Sequence, residues 1–112
     1  MLNSKITKQE KIEMANTIVN QLTRSHNGQA MLKLYVSAYN FLLIDNGISF
    51  KFKGSKAFNY VSITLNGKDL YDVSFKKIRK LEIVDENTIN DLCFEDLMDC
   101  FERETQLYLL AF

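Results

Sequence analysis

The chain has 112 residues, of which 46% are hydrophobic and 25% are charged, and its 14 basic and 14 acidic residues balance. That length and composition are typical of one globular domain with its own core, so they argue against a disordered chain and against a disulfide-dependent miniprotein. No apolar run approaches the ~20 residues that a membrane span needs, and the N-terminus lacks the apolar segment of a signal peptide. We therefore expect a single domain over residues 1–112, cytoplasmic and without a membrane partner.

Residues 7–23 have the pattern of an amphipathic helix. Thr7 and Glu10 match a capping box, in which each side chain accepts a hydrogen bond from a backbone N–H at the helix start. Apolar residues follow the i, i+3, i+4, i+7 spacing of a buried stripe at Ala15, Ile18, Val19 and Leu22. Residues 24–29 are turn-formers that end the helix. We expect His26 in that turn to be solvated, because no carboxylate or cysteine lies nearby in sequence.

The next segment, residues 30–36, is predicted to be the first strand. Leu32, Leu34 and Val36 alternate with other residues there, which is the period of a strand with one buried face. Residues 37–46 fit a helical turn as well as a wide loop. The tripeptide Asp45-Asn46-Gly47 has the composition of a turn that leads into the following strand.

Three alternating runs within residues 48–79 predict an antiparallel meander. The residues expected on its buried face are Ile48, Phe50 and Phe52, then Val61, Ile63 and Leu65, then Tyr71, Val73 and Phe75. Between the second and third runs, Asn66-Gly67 favours a two-residue type I′ turn, because both central residues of that turn need positive φ. Residues 81–87 are expected to form a last short strand.

The C-terminal region predicts a second helix over residues 88–107. Its apolar face would contain Leu97, Phe101 and both cysteines, Cys93 and Cys100, which we expect to be buried reduced thiols. Seven residues apart on one helix, the two cysteines would have Cα atoms roughly 10 Å apart, too far for a disulfide.

This order of a helix, five strands and a helix predicts an α+β fold. We expect an antiparallel β-meander of four or five strands with the N-terminal and C-terminal helices packed on one face. The opposite face of the sheet would meet water and would carry Lys51, Lys53, Ser62, Thr64, Ser74 and Lys76.

The balanced net charge hides an asymmetry along the chain. Residues 51–80 contain eight basic and two acidic residues, a net of +6, whereas residues 81–112 contain one basic and nine acidic residues, a net of −8. The basic block is the first candidate contact for a partner or for nucleic acid, through Lys51, Lys53, Lys76, Lys77, Arg79 and Lys80. Tyr35 and Tyr60 could stack on bases beside it. The alternative is that these lysines only keep an exposed sheet face soluble and unpaired.

The acidic C-terminal helix is the second candidate contact, through Glu95, Asp96, Asp99 and Glu102. These carboxylates could imitate phosphates and dock on a basic groove, or they could meet the basic strands of a second copy in a homodimer. The alternative is a solvated helix face. No set of nucleophile, base and orienting residue is evident in the sequence, so we expect a protein that is not an enzyme and has no cofactor or metal.

Three blocks of the sequence resemble small proteins of bacteriophages, prophages and other mobile elements. The blocks are NGISFKF, NYVSITLNGKDLYDVSFKKIRK and DLMDCFERETQLYL, and residues 14–18 of the first helix follow the same pattern. The resemblance implies an accessory protein that works in the cytoplasm of a bacterial host. By context, it implies a non-enzymatic, anti-CRISPR-like protein that binds and inhibits a host defence nuclease complex, through its protein or its guide RNA. The alternatives are a protein that binds RNA or single-stranded DNA, and a homo-oligomeric assembly module.

Overall fold

A computed structural model describes residues 7–109 as three α-helices and five strands. In chain order these are α1 Lys8–Thr23, α2 Gly28–Val36, β1 Tyr39–Ile44, β2 Gly47–Lys51, β3 Tyr60–Leu65, β4 Tyr71–Arg79, β5 Glu82–Leu92 and α3 Leu97–Thr105. A short 3₁₀ turn, Phe94–Asp96, joins β5 to α3. The strands form one antiparallel sheet in the order β1-β2-β3-β4-β5. The predicted α+β class is therefore confirmed.

Helix α1 begins and ends close to the predicted residues. The Thr7 side chain accepts a hydrogen bond from the Glu10 N–H, and the Glu10 carboxylate accepts one from the Thr7 N–H, so the predicted capping box is confirmed. The hydrogen bond from the Thr7 backbone lowers the pKa of the Glu10 carboxyl. The predicted stripe is buried as well, at Ala15, Ile18, Val19 and Leu22.

The prediction of a strand over residues 30–36 is wrong, because those residues lie in α2. The side chains that this segment buries are Leu32 and Val36, which are four residues apart as on one helix face, whereas Leu34 is 72% exposed. Gly28 allows α2 to start against α1, since a Cβ there would lie 2.3 Å from the Val19 carbonyl oxygen. Asn20 of α1 then accepts a hydrogen bond from the Gly28 N–H at 2.7 Å. Contact with α1 thus decides the conformation of this segment.

Strand β1 lies within residues 37–46, the segment whose structure the sequence left open. The dipeptide Asp45-Asn46 connects β1 to β2, as the composition of that turn predicted. One extra residue on β1 interrupts the register between Tyr39 and Leu42, and Asn40 has a φ of +54° there. This β-bulge sets the direction of the side chains on either side of it.

The hairpin turns differ from the prediction. Asn66-Gly67 does not form a type I′ turn, because neither residue has positive φ and the loop runs from Asn66 to Leu70 with Asp69 at φ +59°. The Asn66 side chain closes this larger loop by accepting hydrogen bonds from the Lys68 and Leu70 N–H groups. The two-residue turn with positive φ at both positions is instead Lys80-Leu81, at the tip of the β4–β5 hairpin.

Strand β5 is longer, and the C-terminal helix shorter, than predicted. Residues 88–92 belong to the strand, where Ile89 pairs with Val73 and Leu92 pairs with Tyr71. Pairing with the long strand β4 therefore overrides the helical spacing of this segment. Cys93 follows the strand and is exposed, so the prediction that it is buried is wrong, while Cys100 on α3 is buried as predicted.

The core lies between the helices and one face of the sheet, which we call the inner face. Its centre is an aromatic cluster in which Phe101 of α3 contacts Phe50, Phe52 and Phe75 at ring-centroid distances of 6.5, 5.2 and 6.1 Å. The Tyr71 hydroxyl donates a hydrogen bond to the Gln21 side chain of α1 at 2.6 Å, and burial raises the pKa of Tyr71. Because the helices cover the inner face, the opposite face of the sheet is the one that can contact other molecules.

Candidate functional site

One row of side chains crosses all five strands on the face of the sheet opposite the core, which we call the outer face. Successive strand pairings place in register Tyr39, Lys51, Tyr60, Lys76 and Glu86. Their strand neighbours Phe50, Val61 and Phe75 are buried in the core, so the row projects to the opposite side. With strands about 4.8 Å apart, this lysine–tyrosine row is about 19 Å long.

Lysine side chains lie over both tyrosine rings of the row. The Lys53 Nζ is 5.3 Å from the centroid of the Tyr39 ring, and the Lys76 Nζ is 5.6 Å from the centroid of the Tyr60 ring. At these distances the ring quadrupole attracts the ammonium group. The outer face therefore combines aromatic surface with positive charge.

A second row on the outer face carries mainly hydroxyl groups. Beside the lysine–tyrosine row, strand pairing aligns Leu42, Ser49, Ser62, Ser74 and Thr88. Thr88 and Ser74 are within hydrogen-bond distance of each other at 3.3 Å. Ser49 is 1% exposed, and its Oγ has no hydrogen-bond partner within the described chain. The outer face thus includes one fully buried hydroxyl.

The side chain of Asn59 prolongs the pairing of β3 with β4 at the end of this face. Its Oδ1 accepts a hydrogen bond from the Ile78 N–H, and its Nδ2 donates one to the Ile78 carbonyl oxygen, both at 2.8 Å. Its backbone N–H also donates to the Lys76 carbonyl oxygen at 3.0 Å. Asn59 thereby holds the strand segment that carries Lys76.

The structure brings together three of the six basic residues that the sequence singled out. Lys51, Lys53 and Lys76 lie on the outer face. Lys77 turns away from it and donates a hydrogen bond to the Lys56 carbonyl oxygen at 2.8 Å. Arg79 and Lys80 are exposed at the tip of the β4–β5 hairpin.

Part of the charge asymmetry of the sequence lies within one hairpin, where β4 holds three of the eight basic residues of 51–80 and β5 holds four of the nine acidic residues of 81–112. The register of this hairpin sets Lys76 opposite Glu86, Lys77 opposite Asp85, and Arg79 opposite Glu82. Opposite charges in cross-strand positions attract one another. These three cross-strand pairs therefore set part of the basic block against part of the acidic block.

The four candidate acidic residues do not share a helix face. Glu95 and Asp96 lie in the 3₁₀ turn, before α3. Asp99 is within 3.9 Å of Arg24, and the Glu102 carboxylate accepts a hydrogen bond from the Leu109 N–H at 2.7 Å. The prediction that these four residues lie on one helix over residues 88–107 is therefore wrong.

Tyr39 is the site residue that sequence reasoning missed. It lies at the start of β1, in the segment that the sequence left open, whereas the proposed stacking residue Tyr35 belongs to α2. Lys51 and Tyr60 followed from strand alternation. Tyr39 depends on a long-range pairing with Lys51 and on the bulge beside it, so no local pattern identified it.

The carboxylates near the β3–β4 loop have structural contacts. Asp72 accepts hydrogen bonds from the Asn66 amide at 3.1 Å and from the Asp91 N–H at 3.0 Å. Asp91 is bound in turn by Lys68 at 3.1 Å.

His26 is exposed in the turn between α1 and α2. Within residues 7–109 no three His, Cys, Asp or Glu side chains are grouped as metal ligands.

Comparisons with protein-family models, with curated proteins and with solved structures each found no match to this chain. The resemblance to mobile-element proteins therefore stays a prediction. Among the described helices, none is long and apolar enough to cross a membrane.

Proposed function

We propose that this protein is a non-enzymatic binding protein that holds single-stranded nucleic acid on the outer face of its sheet. The observation that supports this proposal is the alternation of aromatic and basic side chains in one row, Tyr39, Lys51, Tyr60 and Lys76. A sheet face of this kind offers rings for base stacking and ammonium groups for phosphates.

The spacing of the row suits a short single-stranded segment. Tyr39 and Tyr60 lie two strands apart, about 10 Å, so each ring can stack on a separate base. Stacking contributes roughly 1–3 kcal/mol per base. Lys51 stands between the two rings, and the Ser62 and Ser74 hydroxyls lie one row away as hydrogen-bonding groups.

The acidic end of the row limits the length of the contact. Glu86 lies opposite Lys76 on the edge strand β5. Because a carboxylate repels phosphates, the path of the nucleic acid would end between β4 and β5. The proposed footprint therefore covers β1 to β4.

A second proposal is inhibition of a host defence nuclease complex, which the resemblance of the three sequence blocks implies. The observation in its favour is the β4–β5 hairpin tip, where Leu81 is 99% exposed beside Arg79 and Lys80. An exposed apolar residue close to an arginine is suited to a protein contact at an interface. The guide RNA of such a complex could meet the outer face at the same time.

Fluorescence anisotropy with labelled 12-nucleotide RNA, the same sequence as DNA, and the corresponding duplexes tests the first proposal. We expect the double variant Lys51→Gln/Lys76→Gln to lower affinity at least about tenfold and to reduce the slope of log K against log salt by about 0.7 per lysine. Tyr60→Leu should weaken binding about five- to hundredfold through lost stacking.

The matched control is Lys77→Gln/Lys80→Gln, which removes the same charge outside the outer face. An equal loss of affinity in this control, or no binding by the wild type, would refute the proposal.

A pull-down from bacterial host lysate, with and without nuclease treatment, tests the second proposal. The second proposal is supported if the wild type still captures a host nuclease complex after the lysate is treated with added nuclease, and if Arg79→Gln/Lys80→Gln/Leu81→Ser does not. It is refuted if the added nuclease removes everything that the wild type captures.

A further inference from the structure

The two edge strands of the sheet have opposite character. Strand β5 carries four acidic residues and no basic one: Glu82, Asp85, Glu86 and Asp91. Strand β1, with the sequence YNFLLI, carries no charge, and Tyr39, Leu42 and Leu43 are 41%, 60% and 42% exposed on it. Charged side chains on an edge strand prevent pairing with other chains, and an uncharged apolar edge lacks that protection.

From this contrast we propose that β1 is the interface of a homodimer, in which β1 pairs antiparallel with β1 of a second copy. The outer edge of β1 has no strand partner within the described chain, where its pairing is with β2 alone. Because β1 has no charge, it can meet its own copy without like-charge repulsion. The same pairing by β5 would set carboxylates against carboxylates.

The direction of the side chains selects the register. Residues opposite each other in an antiparallel pair must lie on the same face of the sheet. On β1, Leu42 aligns with outer-face Ser49, whereas Leu43 aligns with buried Ile48. A twofold axis through Leu42 places Leu42 opposite its own copy and Phe41 opposite Leu43 of the partner copy. Beyond the bulge, Tyr39 then lies opposite Ile44 of the partner copy, so every pair is apolar.

This register also brings opposite charges together at both ends of the interface. Asp45 follows Ile44 directly, and the Lys53 Nζ lies 5.3 Å from the Tyr39 ring centroid. With Tyr39 opposite Ile44 of the partner copy, Lys53 of each copy comes beside Asp45 of the other. Both side chains belong to exposed residues, and neither takes part in a salt bridge within the described chain.

A groove beside β1 supplies further apolar surface. It has a volume of about 160 Å³ and lies between α1 and the sheet edge, lined mostly by apolar residues such as Ile12, Val19, Phe41 and Leu43, together with Asn16 and Gln29. In the proposed register, Phe41 and Leu43 of the partner copy are on the side of the sheet that this groove opens to. They would therefore cover it, and the two sheets would join into one of ten strands.

Light scattering coupled to size-exclusion chromatography, over protein concentrations from about 1 µM to 1 mM, tests this proposal on the full chain. We expect a mass of twice 13.0 kDa for the wild type. Leu42→Lys places two ammonium groups opposite each other at the axis, so it should weaken dimerisation at least about tenfold. The matched control Val84→Lys introduces the same charge on the other edge, at a residue that is 53% exposed, and should leave the dimer intact.

A charge swap tests the register and does not depend on Leu42. Asp45→Lys and Lys53→Asp should each weaken the dimer, and the double variant should restore it, because each substitution then meets its complement in the partner copy. A wild type that stays at 13.0 kDa throughout, a dimer that resists Leu42→Lys, or a double variant without rescue would overturn the proposal.

Discussion

The two faces of the central strands β2, β3 and β4 contain different side chains for different reasons. On the inner face, Phe50 and Phe75 are 0% exposed and belong to a continuous aromatic cluster with Phe101. On the outer face, strand register places lysine, tyrosine and serine side chains in rows, and the Lys76 ammonium lies over the Tyr60 ring. Packing thus determines the residues of the inner face, whereas the outer face is free to carry a binding surface.

The largest expected effect is the loss of the aromatic centre of the inner face. Phe101→Ala removes the ring that contacts Phe50, Phe52 and Phe75, and should lower the free energy of unfolding by about 3–5 kcal/mol through lost burial and the cavity left behind. The outer-face control Lys76→Gln should change it by less than about 0.5 kcal/mol. Urea unfolding followed by circular dichroism measures both. Similar losses in the two variants would contradict the distinction between the faces.

The next effect concerns Asn59, whose side chain prolongs the pairing of β3 with β4. Asn59→Ala leaves the Ile78 N–H without its side-chain acceptor, so we expect a loss of about 1–3 kcal/mol in the free energy of unfolding. Hydrogen exchange of the Ile78 amide should accelerate in the same variant. Asn90→Ala, an exposed asparagine on β5, is the control. Unchanged Ile78 exchange would contradict this role for Asn59.

A smaller effect of opposite sign is expected at the buried hydroxyl of the outer face. Ser49→Ala removes an Oγ that is buried without a partner within the described chain, so the variant should be as stable as the wild type or more stable by up to about 1 kcal/mol. Ser74→Ala removes a hydroxyl that is 3.3 Å from Thr88 and should be slightly destabilising. Thermal unfolding of both variants gives the comparison. Equal destabilisation would mean that Ser49 has a partner.

The two thiols have the smallest expected effect on stability near neutral pH, but they should differ in reactivity. One of them is buried and the other is exposed. Burial raises the pKa of Cys100 to about 11, whereas Cys93 is exposed. In the native protein a disulfide reagent such as DTNB should therefore modify Cys93 and leave Cys100 unreacted until the chain unfolds. Two fast thiols in the native protein would contradict the burial of Cys100.

The raised pKa of Cys100 also fixes a pH dependence. The thiol has a higher pKa in the folded state than its ordinary value of 9.0, so its contribution to stability is complete below pH 9 and is lost as pH rises toward about 11. Cys100→Ala should remove this part of the alkaline decline in the free energy of unfolding. A decline that is the same in wild type and Cys100→Ala would show that other groups cause it.

The sequence alone identified most of the meander and three of the four side chains in the proposed row, all but Tyr39. Strand alternation placed Phe50, Val61 and Phe75 on the buried face and Lys51 and Lys76 on the other face, because that period depends only on neighbouring residues. It did not identify Tyr39. It also placed residues 88–92 in the C-terminal helix, although they belong to β5, which pairs with β4.

What the sequence determined by itself was local: the capping box at Thr7, the buried stripe of α1 and the alternation of β2 to β4. What only the tertiary structure decided was the conformation of segments with two compatible patterns. Residues 28–36 became α2 because Gly28 packs against Val19, and residues 88–92 became a strand because they pair with β4. Local periodicity cannot rank these alternatives, since the contacts that stabilise one of them come from residues distant in the chain.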